Sequence, residues 1–217
     1  MFYNLKQKVR PYIPFTSLNT VWRHLDAKGK TLLDVGCGKG EPAQFINRKG
    51  RYFAVGFDAF EPYLRECRKD KIHSAYAQGD VRLLPFTDGS FDIVICLEVL
   101  EHLEKGEGDK LLKELERVAA KQVILSTPVG KYQQGVFDGN PHQEHKYIWN
   151  PAEMKEKDYQ VKGVGLRNLG GKAGVESKHS VMVRLLVNIL WVLVSPFTYY
   201  LPNMAGDMVC IKTFPLL

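Results

Sequence analysis

The sequence predicts an α/β fold, a doubly wound and mostly parallel sheet, on three observations. Apolar strand patterns alternate with helical patterns between Thr31 and Ser126, and such alternation closes as parallel strands joined by helical crossovers. The run Leu32-Leu33-Asp34-Val35-Gly36-Cys37-Gly38-Lys39-Gly40 is an apolar strand ending in an acid and then a turn with glycines at alternate positions. Further acids, Asp58 and Asp80, follow the next two strand patterns, and the carboxyl ends of parallel strands are where such sheets bind ligands.

The elements follow in order. Residues 1–29 are an N-terminal helical cap, and Thr31–Val35 is the first strand. Pro42 falls just inside the next helix, where its missing N–H costs nothing. Tyr52–Phe57 is a second strand and Ile72–Ala77 a weaker third. Phe91–Leu97 is a strongly apolar fourth, preceded by the turn Thr87-Asp88-Gly89-Ser90. Gly108–Ala120 carries Leu111, Leu112, Leu115 and Val118 on one helical face. Gln122–Ser126 is a fifth strand, closed by Pro128. Residues 129–149 form a polar loop rich in Gly, Gln, His and Tyr, and loops of that length inside a compact domain are usually functional or disordered. Asn150-Pro151-Ala152-Glu153 is a helix start, with an N-cap Asn, Pro at the first helical position and Glu at the third. Tyr159–Leu166 and Met208–Thr213 complete seven strands. The whole chain, 1–217, is expected to be one domain, with halves 30–127 and 128–217 behind the cap.

The net charge of +6 is a mild bias toward acidic partners or anionic membrane surfaces. It falls short of the dense basic stripe of a nucleic-acid binder. The four cysteines, Cys37, Cys67, Cys96 and Cys210, form no C-x-x-C pair, which argues against a zinc site or a disulfide framework. The first residues hold no apolar core of signal-peptide type, so the expected compartment is the cytoplasm.

The glycine turn carries most of the chemistry. Without Cβ atoms a ligand can come close to the backbone. A dinucleotide fingerprint reads G-x-G-x-x-G with its acid about 20 residues later. Here an acid precedes the glycines, as D-x-G-x-G-x-G, and more acids follow at strand ends. That order suits a ligand with a cationic amino-acid end and a ribosyl-adenine end rather than a pyrophosphate. A carboxylate only accepts hydrogen bonds, so Asp58 can take two hydroxyls at once.

The turn resembles motif I of the class I S-adenosylmethionine-dependent methyltransferases. Gly56-Phe57-Asp58 is similar to the second motif of that family, Gly79-Asp80-Val81 with Leu84-Pro85-Phe86 to the third, and Ser90–Val94 with Glu98-Val99-Leu100-Glu101-His102-Leu103 to the fourth and the helix after it. The order and spacing match across residues 31–127. The resemblance implies a Rossmann-like sheet with helices on both faces, the last strand antiparallel, and an extra apolar helix, 176–201, before that strand. It implies S-adenosyl-L-methionine as cofactor, S-adenosyl-L-homocysteine as product, and no metal. Asp34, Gly36, Cys37, Gly38 and Gly40 would surround the methionine portion, with Asp34 ordering the turn. Asp58 would take the ribose hydroxyls, and Ala59 and Phe60 would pack on the adenine. Asp80 would accept the adenine amino group beside Gly79 and the Val81 N–H. Leu97 and Glu98 would border the sulfonium and His102 would belong to the cofactor pocket, with Glu98, Glu101 and His102 on one helix face. Quinone-pathway O-methyltransferases carry a similar Glu…Glu-His group linked to a divalent metal, whereas many relatives carry the same letters without one.

The acceptor side is less regular. Methyl transfer is an in-line displacement that needs a base only if the acceptor must lose a proton. Asp138, His142, Glu144, His145 and Tyr147 are the candidates in the polar loop, and His142 and His145 suit neutral pH best. The fourth strand lacks a [DN]-P-P-Y ending, so a DNA substrate is not expected. A small, lipid-like acceptor is the leading expectation. A protein or RNA acceptor, or a binding module without turnover, are the alternatives. Residues 181–194 are almost wholly apolar, yet as a helix they would rise only about 21 Å, against the ~30 Å of a bilayer core. A packed helix, a homodimer seam, a lid over an apolar substrate and a peripheral membrane contact through 181–201 all remain open.

Overall fold

The computed structural model describes residues 12–130, 139–166 and 193–215. Its sheet has seven strands in the order β3-β2-β1-β4-β5-β7-β6: β1 Thr31–Val35, β2 Phe53–Asp58, β3 Ala75–Gln78, β4 Phe91–Leu97, β5 Ala119–Pro128, β6 Gln160–Val164 and β7 Asp207–Thr213. The helices are α1 Ser17–His24, α2 Glu41–Ile46, α3 Glu61–Asp70, α4 Lys105–Val118 and α5 Pro151–Glu156. Residues 193–200 are also helical. The first five strands pair in parallel, Leu33 lying between Val55 and Val94 in register. The last strand runs the other way. The Phe214 N–H donates to the Lys121 carbonyl and the Val129 N–H to the Gly206 carbonyl, a register that only antiparallel strands allow.

Most strands of this sheet read as continuous apolar runs because they are buried on both faces. Leu32, Leu33, Ile93, Val94, Ile95, Val123, Ile124 and Leu125 have no exposed surface. Asp92 is structural: it accepts the N–H groups of Lys30 and Thr31 at 2.7 and 3.2 Å and pairs with Lys121.

Two helix starts differ in how well the sequence marks them. At α5 the Asn150 side chain accepts from the Ala152 and Glu153 N–H groups, and the Glu153 carboxylate reaches back to the Asn150 N–H. The second start is earlier than the apolar periodicity suggests. α4 begins at Lys105, because Glu104 and Glu107 form a reciprocal capping box. β5 is longer than the apolar core Gln122–Ser126 alone predicts, since α4 passes into it at Ala119 without a turn.

The chain forms two compact units. One comprises residues 24–126, 133–147 and 211–217 and contains β1–β4 with the glycine turn. The other comprises residues 1–23, 127–132 and 148–210. In the latter, Gly163 lets β6 lie against the helical residues 193–200, for a Cβ there would meet the Thr198 carbonyl oxygen at 2.1 Å. Ser195 and Thr198 are buried in this unit while Leu193, Phe197 and Tyr200 are largely exposed. Most of the predicted apolar helix, 176–192, lies outside the described residues, as do Asp138 and the basic residues Lys172, Lys178 and Arg184.

Candidate cofactor site

The three glycines after β1 all have left-handed backbone, with φ of 68°, 54° and 78° at Gly36, Gly38 and Gly40. They differ in what they make room for. A Cβ at Gly36 would lie 2.3 Å from Val99, and one at Gly40 would lie 2.9 Å from Ile72 and 3.0 Å from the Cys67 sulfur. At Gly38 nothing lies within 4 Å. Gly36 and Gly40 therefore let the turn pack down onto protein, and Gly38 turns its bare face to open space.

Asp58 holds that turn in place. Its Oδ2 accepts the Gly38 N–H at 2.8 Å and its Oδ1 accepts the Phe60 N–H at 2.8 Å. Burial raises its pKa above the usual carboxylate range, and the two N–H bonds oppose that shift. Phe60 is the N-cap of α3 and stacks edge-on to Tyr63. The Ala59 carbonyl accepts from the Gln78 side chain, and the Gly79 N–H donates to the Asp58 carbonyl. The ends of β2 and β3 thus set Asp58-Ala59-Phe60 beside Gly79-Asp80-Val81. Asp80 is half exposed, and the Arg82 guanidinium lowers its pKa; the Arg82 Nε lies 2.9 Å from each Asp80 oxygen. Arg82 also pairs with Glu107.

Asp34 has a partner that its place before the turn does not announce: its carboxylate is buried and lies 2.9 Å from His73 Nε2, with both side chains almost wholly buried. Sequence reasoning missed His73, because the partner is 39 residues away and a lone histidine before a weak strand carries no spacing signal.

The segment after β4 also differs. Glu98, Glu101 and His102 do not share an α-helical face. Glu98 takes a left-handed φ of 57°, which a helix cannot contain, and Leu100–His102 is a single 3₁₀ turn before α4. Glu98 is fixed to β5, its backbone N–H on the Ser126 carbonyl and its carboxylate accepting the Ser126 hydroxyl at 2.7 Å. Leu97 ends β4 beside it.

The 3₁₀ turn is docked against the polar loop. The Lys146 and Tyr147 N–H groups donate to the Glu101 carbonyl. His102 Nδ1 lies 3.1 Å from the Glu144 carbonyl, and the His145 ring meets the His102 ring edge-on at 4.8 Å. Since a carbonyl only accepts, His102 Nδ1 carries the proton and Nε2 is the basic nitrogen when the ring is neutral. Burial lowers the His102 pKa, which keeps the ring neutral near pH 7. Ligand atoms of Glu101, His102 and His145 lie within 4.8 Å of one another, a set that could hold a cation. His142 stands apart from them. Asn140 caps its backbone N–H, and the ring lies close enough to act on both acids, slightly opposing the burial-driven rise at Asp58 and adding slightly to the Arg82-driven lowering at Asp80. The two loop histidines that look alike in the sequence thus face different partners.

Seven strands in this order, with an open glycine turn and strand-end acids, define the class of fold: it is that of the class I S-adenosylmethionine-dependent methyltransferases. The sequence model of the methyltransferase domain family matches residues 33–126. A ubiquinone biosynthesis O-methyltransferase of Acinetobacter baylyi is 28% identical over 162 residues, 66% of either chain. One from Neisseria meningitidis is 35% identical over 86 residues, 37% of this chain and 36% of the relative. The matched part is therefore about a third to two thirds of those relatives' length. Among solved structures, a SAM-dependent methyltransferase from Archaeoglobus fulgidus has the same fold, with a TM-score of 0.58 at 19% identity over 98% of this chain and 94% of that one. The magnesium protoporphyrin IX methyltransferase of Synechocystis, solved with S-adenosylmethionine bound, aligns with a TM-score of 0.55 at 15% identity, over 92% and 78% of the two chains.

Proposed function

We propose that this chain transfers the methyl group of S-adenosylmethionine to the oxygen of a small, lipid-like acceptor. The observation that carries the cofactor assignment is the bare, open face of Gly38, held by the same Asp58 carboxylate that lines the end of β2. Asp58 has lone pairs left for ribose hydroxyls, and Asp80 at the edge of the site has room for the adenine amino group once Arg82 swings aside. Gly36, Cys37, Gly38 and Gly40 give the methionine portion its path along the backbone. The cofactor supplies an electrophilic methyl on a sulfonium, which is already a good leaving group. The protein's part is then to align the acceptor and to take its proton.

For that proton the loop geometry favours the pair His102–His145 over His142. His102 is neutral near pH 7 and its Nε2 is the basic nitrogen, while His142 faces the cofactor acids. His142 on this reading closes over the cofactor. The relatives named for ubiquinone biosynthesis support an apolar acceptor with a hydroxyl. A cytoplasmic enzyme working at a membrane edge, or as a homodimer through 181–201, fits such an acceptor.

Calorimetric titration with S-adenosylmethionine and S-adenosylhomocysteine tests the core of the proposal. Wild type is expected to bind both at micromolar levels. Asp58→Ala is expected to lose about 10- to 100-fold in affinity, the equivalent of one or two hydrogen bonds to a charged group. No binding to folded wild type would overturn the methyltransferase reading in favour of a binding module for another ligand.

A further inference from the structure

Two thiols of the cofactor turn have no part in methyl transfer. Cys37 lies in the turn itself, and Cys67 comes from the last helical turn of α3. Both sulfurs point at one acceptor. The Cys67 Sγ lies 3.3 Å and the Cys37 Sγ 3.8 Å from the Gly38 carbonyl oxygen. Cys67 also fills the space left by Gly40. Beside them, His73 is held on Asp34, and the Tyr76 hydroxyl ties the His73 N–H to the Cys67 carbonyl, accepting from the one at 2.9 Å and donating to the other at 2.7 Å. The result is a four-membered cluster, Cys37, Cys67, His73 and Asp34, directly beneath the open face of Gly38.

We propose that Cys37 and Cys67 are a redox dithiol that closes to a disulfide on two-electron oxidation by a peroxide and so disables the cofactor turn. The proposal rests on the cofactor reading given above.

The cluster divides the roles of the two thiols. The neighbouring Cys37 thiol lowers the Cys67 pKa; burial opposes that, and the His73 imidazole adds to it. The same pairing raises the Cys37 pKa, with burial and the nearby Asp34 adding to the shift. Cys67 is thus the thiolate and Cys37 the protonated partner, the division of labour that a dithiol needs. The Cys67 thiolate attacks a peroxide oxygen, giving Cys67 sulfenic acid and one water once a proton is taken up. The Cys37 sulfur then attacks the sulfenic sulfur. The S–S bond forms, the hydroxyl leaves, and with the Cys37 proton it departs as a second water. Two thiols and one peroxide give one disulfide and two waters.

Closure would move both sulfurs off the Gly38 carbonyl and draw Cys37 toward α3. Gly38 is the residue whose N–H meets Asp58, so the turn and the ribose acid would shift together. Cys96 and Cys210 are internal controls. All four thiols are buried, so a peroxide must reach the pair through an opening of the turn; Cys96 and Cys210 differ in that burial raises their thiol pKa values and no second cysteine adjoins them among the described residues.

The test uses the full chain treated with a small molar excess of hydrogen peroxide, then alkylated, digested and mapped by mass spectrometry. The expected product is a disulfide joining the Cys37 and Cys67 peptides, with Cys96 and Cys210 alkylated. The S-adenosylmethionine affinity of the treated protein should fall at least tenfold and return after dithiothreitol, and cofactor added first should slow closure. In Cys67→Ser the ratio of affinities before and after peroxide should stay near one, whatever its starting value. Cys37 and Cys67 remaining free, or a disulfide forming without loss of affinity, would overturn the proposal. If Cys67→Ser does not fold, peptide mapping and dithiothreitol recovery in wild type decide alone. Titration of the reduced protein separates this outcome from failure of the cofactor reading.

Discussion

At the scale of single residues, the cluster under the glycine turn makes a prediction through proton linkage. His73 has its pKa raised to about 9: burial works against the shift, but the Asp34 carboxylate bonded to its Nε2 and the neighbouring Cys67 outweigh it. The unfolded value is about 6.5, so on its own His73 binds more protons in the folded state between those pH values, and its stabilisation is lost as pH rises through about 9. Cys67 has the opposite sign. Its folded pKa is lowered, so its stabilisation is absent at low pH and gained as pH rises toward the ordinary thiol value of about 8.5. In that shared window the folded pair holds one proton on His73, and the unfolded pair holds one on Cys67. The two slopes cancel. Urea midpoints of wild type between pH 6.5 and 8.5 should therefore be nearly flat. Cys67→Ala should uncover a stability that falls with pH, and His73→Gln one that rises. Parallel curves for all three proteins would show that no proton is shared. Neither partner was legible in the sequence. Asp34, Cys67 and His73 have no common spacing, and only the return of the chain from α3 to β3 brings them together.

At the scale of elements, the strands were the easiest part to find. β1 and β4 start and end where their apolar runs do, because they are buried on both sides and bounded by turn residues. The α5 start was equally plain, since an N-cap Asn, Pro and Glu state the same boundary three ways. The 98–104 segment was not. Its Glu and His spacing fits a helix, and nothing local reveals that Glu98 takes a left-handed conformation fixed by Ser126, 28 residues on. The consequence is chemical. A helix would have aimed Glu98, Glu101 and His102 one way, whereas the turn leaves Glu101 and His102 with His145 and ties Glu98 to β5. His145→Ala should lower kcat about 100-fold or more, the range of a lost general base, while the Kd of S-adenosylmethionine moves less than threefold. His102→Ala should do the same and should remove a rise in rate with pH whose midpoint lies below 6.5, because burial lowers the pKa of that ring. Stopped-time assays with a phenolic acceptor, from pH 5 to 8, check both. An unchanged kcat in either variant would leave acceptor alignment as the turn's only role.

At the scale of the whole molecule, the fold was legible because four motifs keep their order across one sheet, and the pairing of its strands is dictated by periodicity and crossover rules. The acceptor was not legible, since it depends on irregular chain around the sheet rather than on strands. Two global properties still bear on it. The chain carries a net charge of +6, and in the unit containing residues 148–210 the side chains of Leu193, Phe197, Tyr200, Leu201 and Met204 are all more than half exposed. Among the described residues no helix is long and apolar enough to cross a membrane, and the exposed apolar side chains of this unit suit an interfacial contact with lipid. Such contact combines apolar insertion with attraction to anionic headgroups, and the second part is screened beyond about 10 Å at 0.1 M salt. The protein should then float with vesicles containing a third anionic lipid at low salt and be released in steps as salt rises to 0.5 M. Neutral vesicles should retain much less. Replacing Phe197 and Tyr200 together by Ser should weaken binding at every salt concentration without changing the slope, since apolar area and not charge is removed. Equal binding to neutral and anionic vesicles would assign the contact to apolar insertion alone. No binding at low salt, with a dimer mass by light scattering that the double substitution reduces to a monomer, would assign the exposed aromatic face to a second copy of the chain.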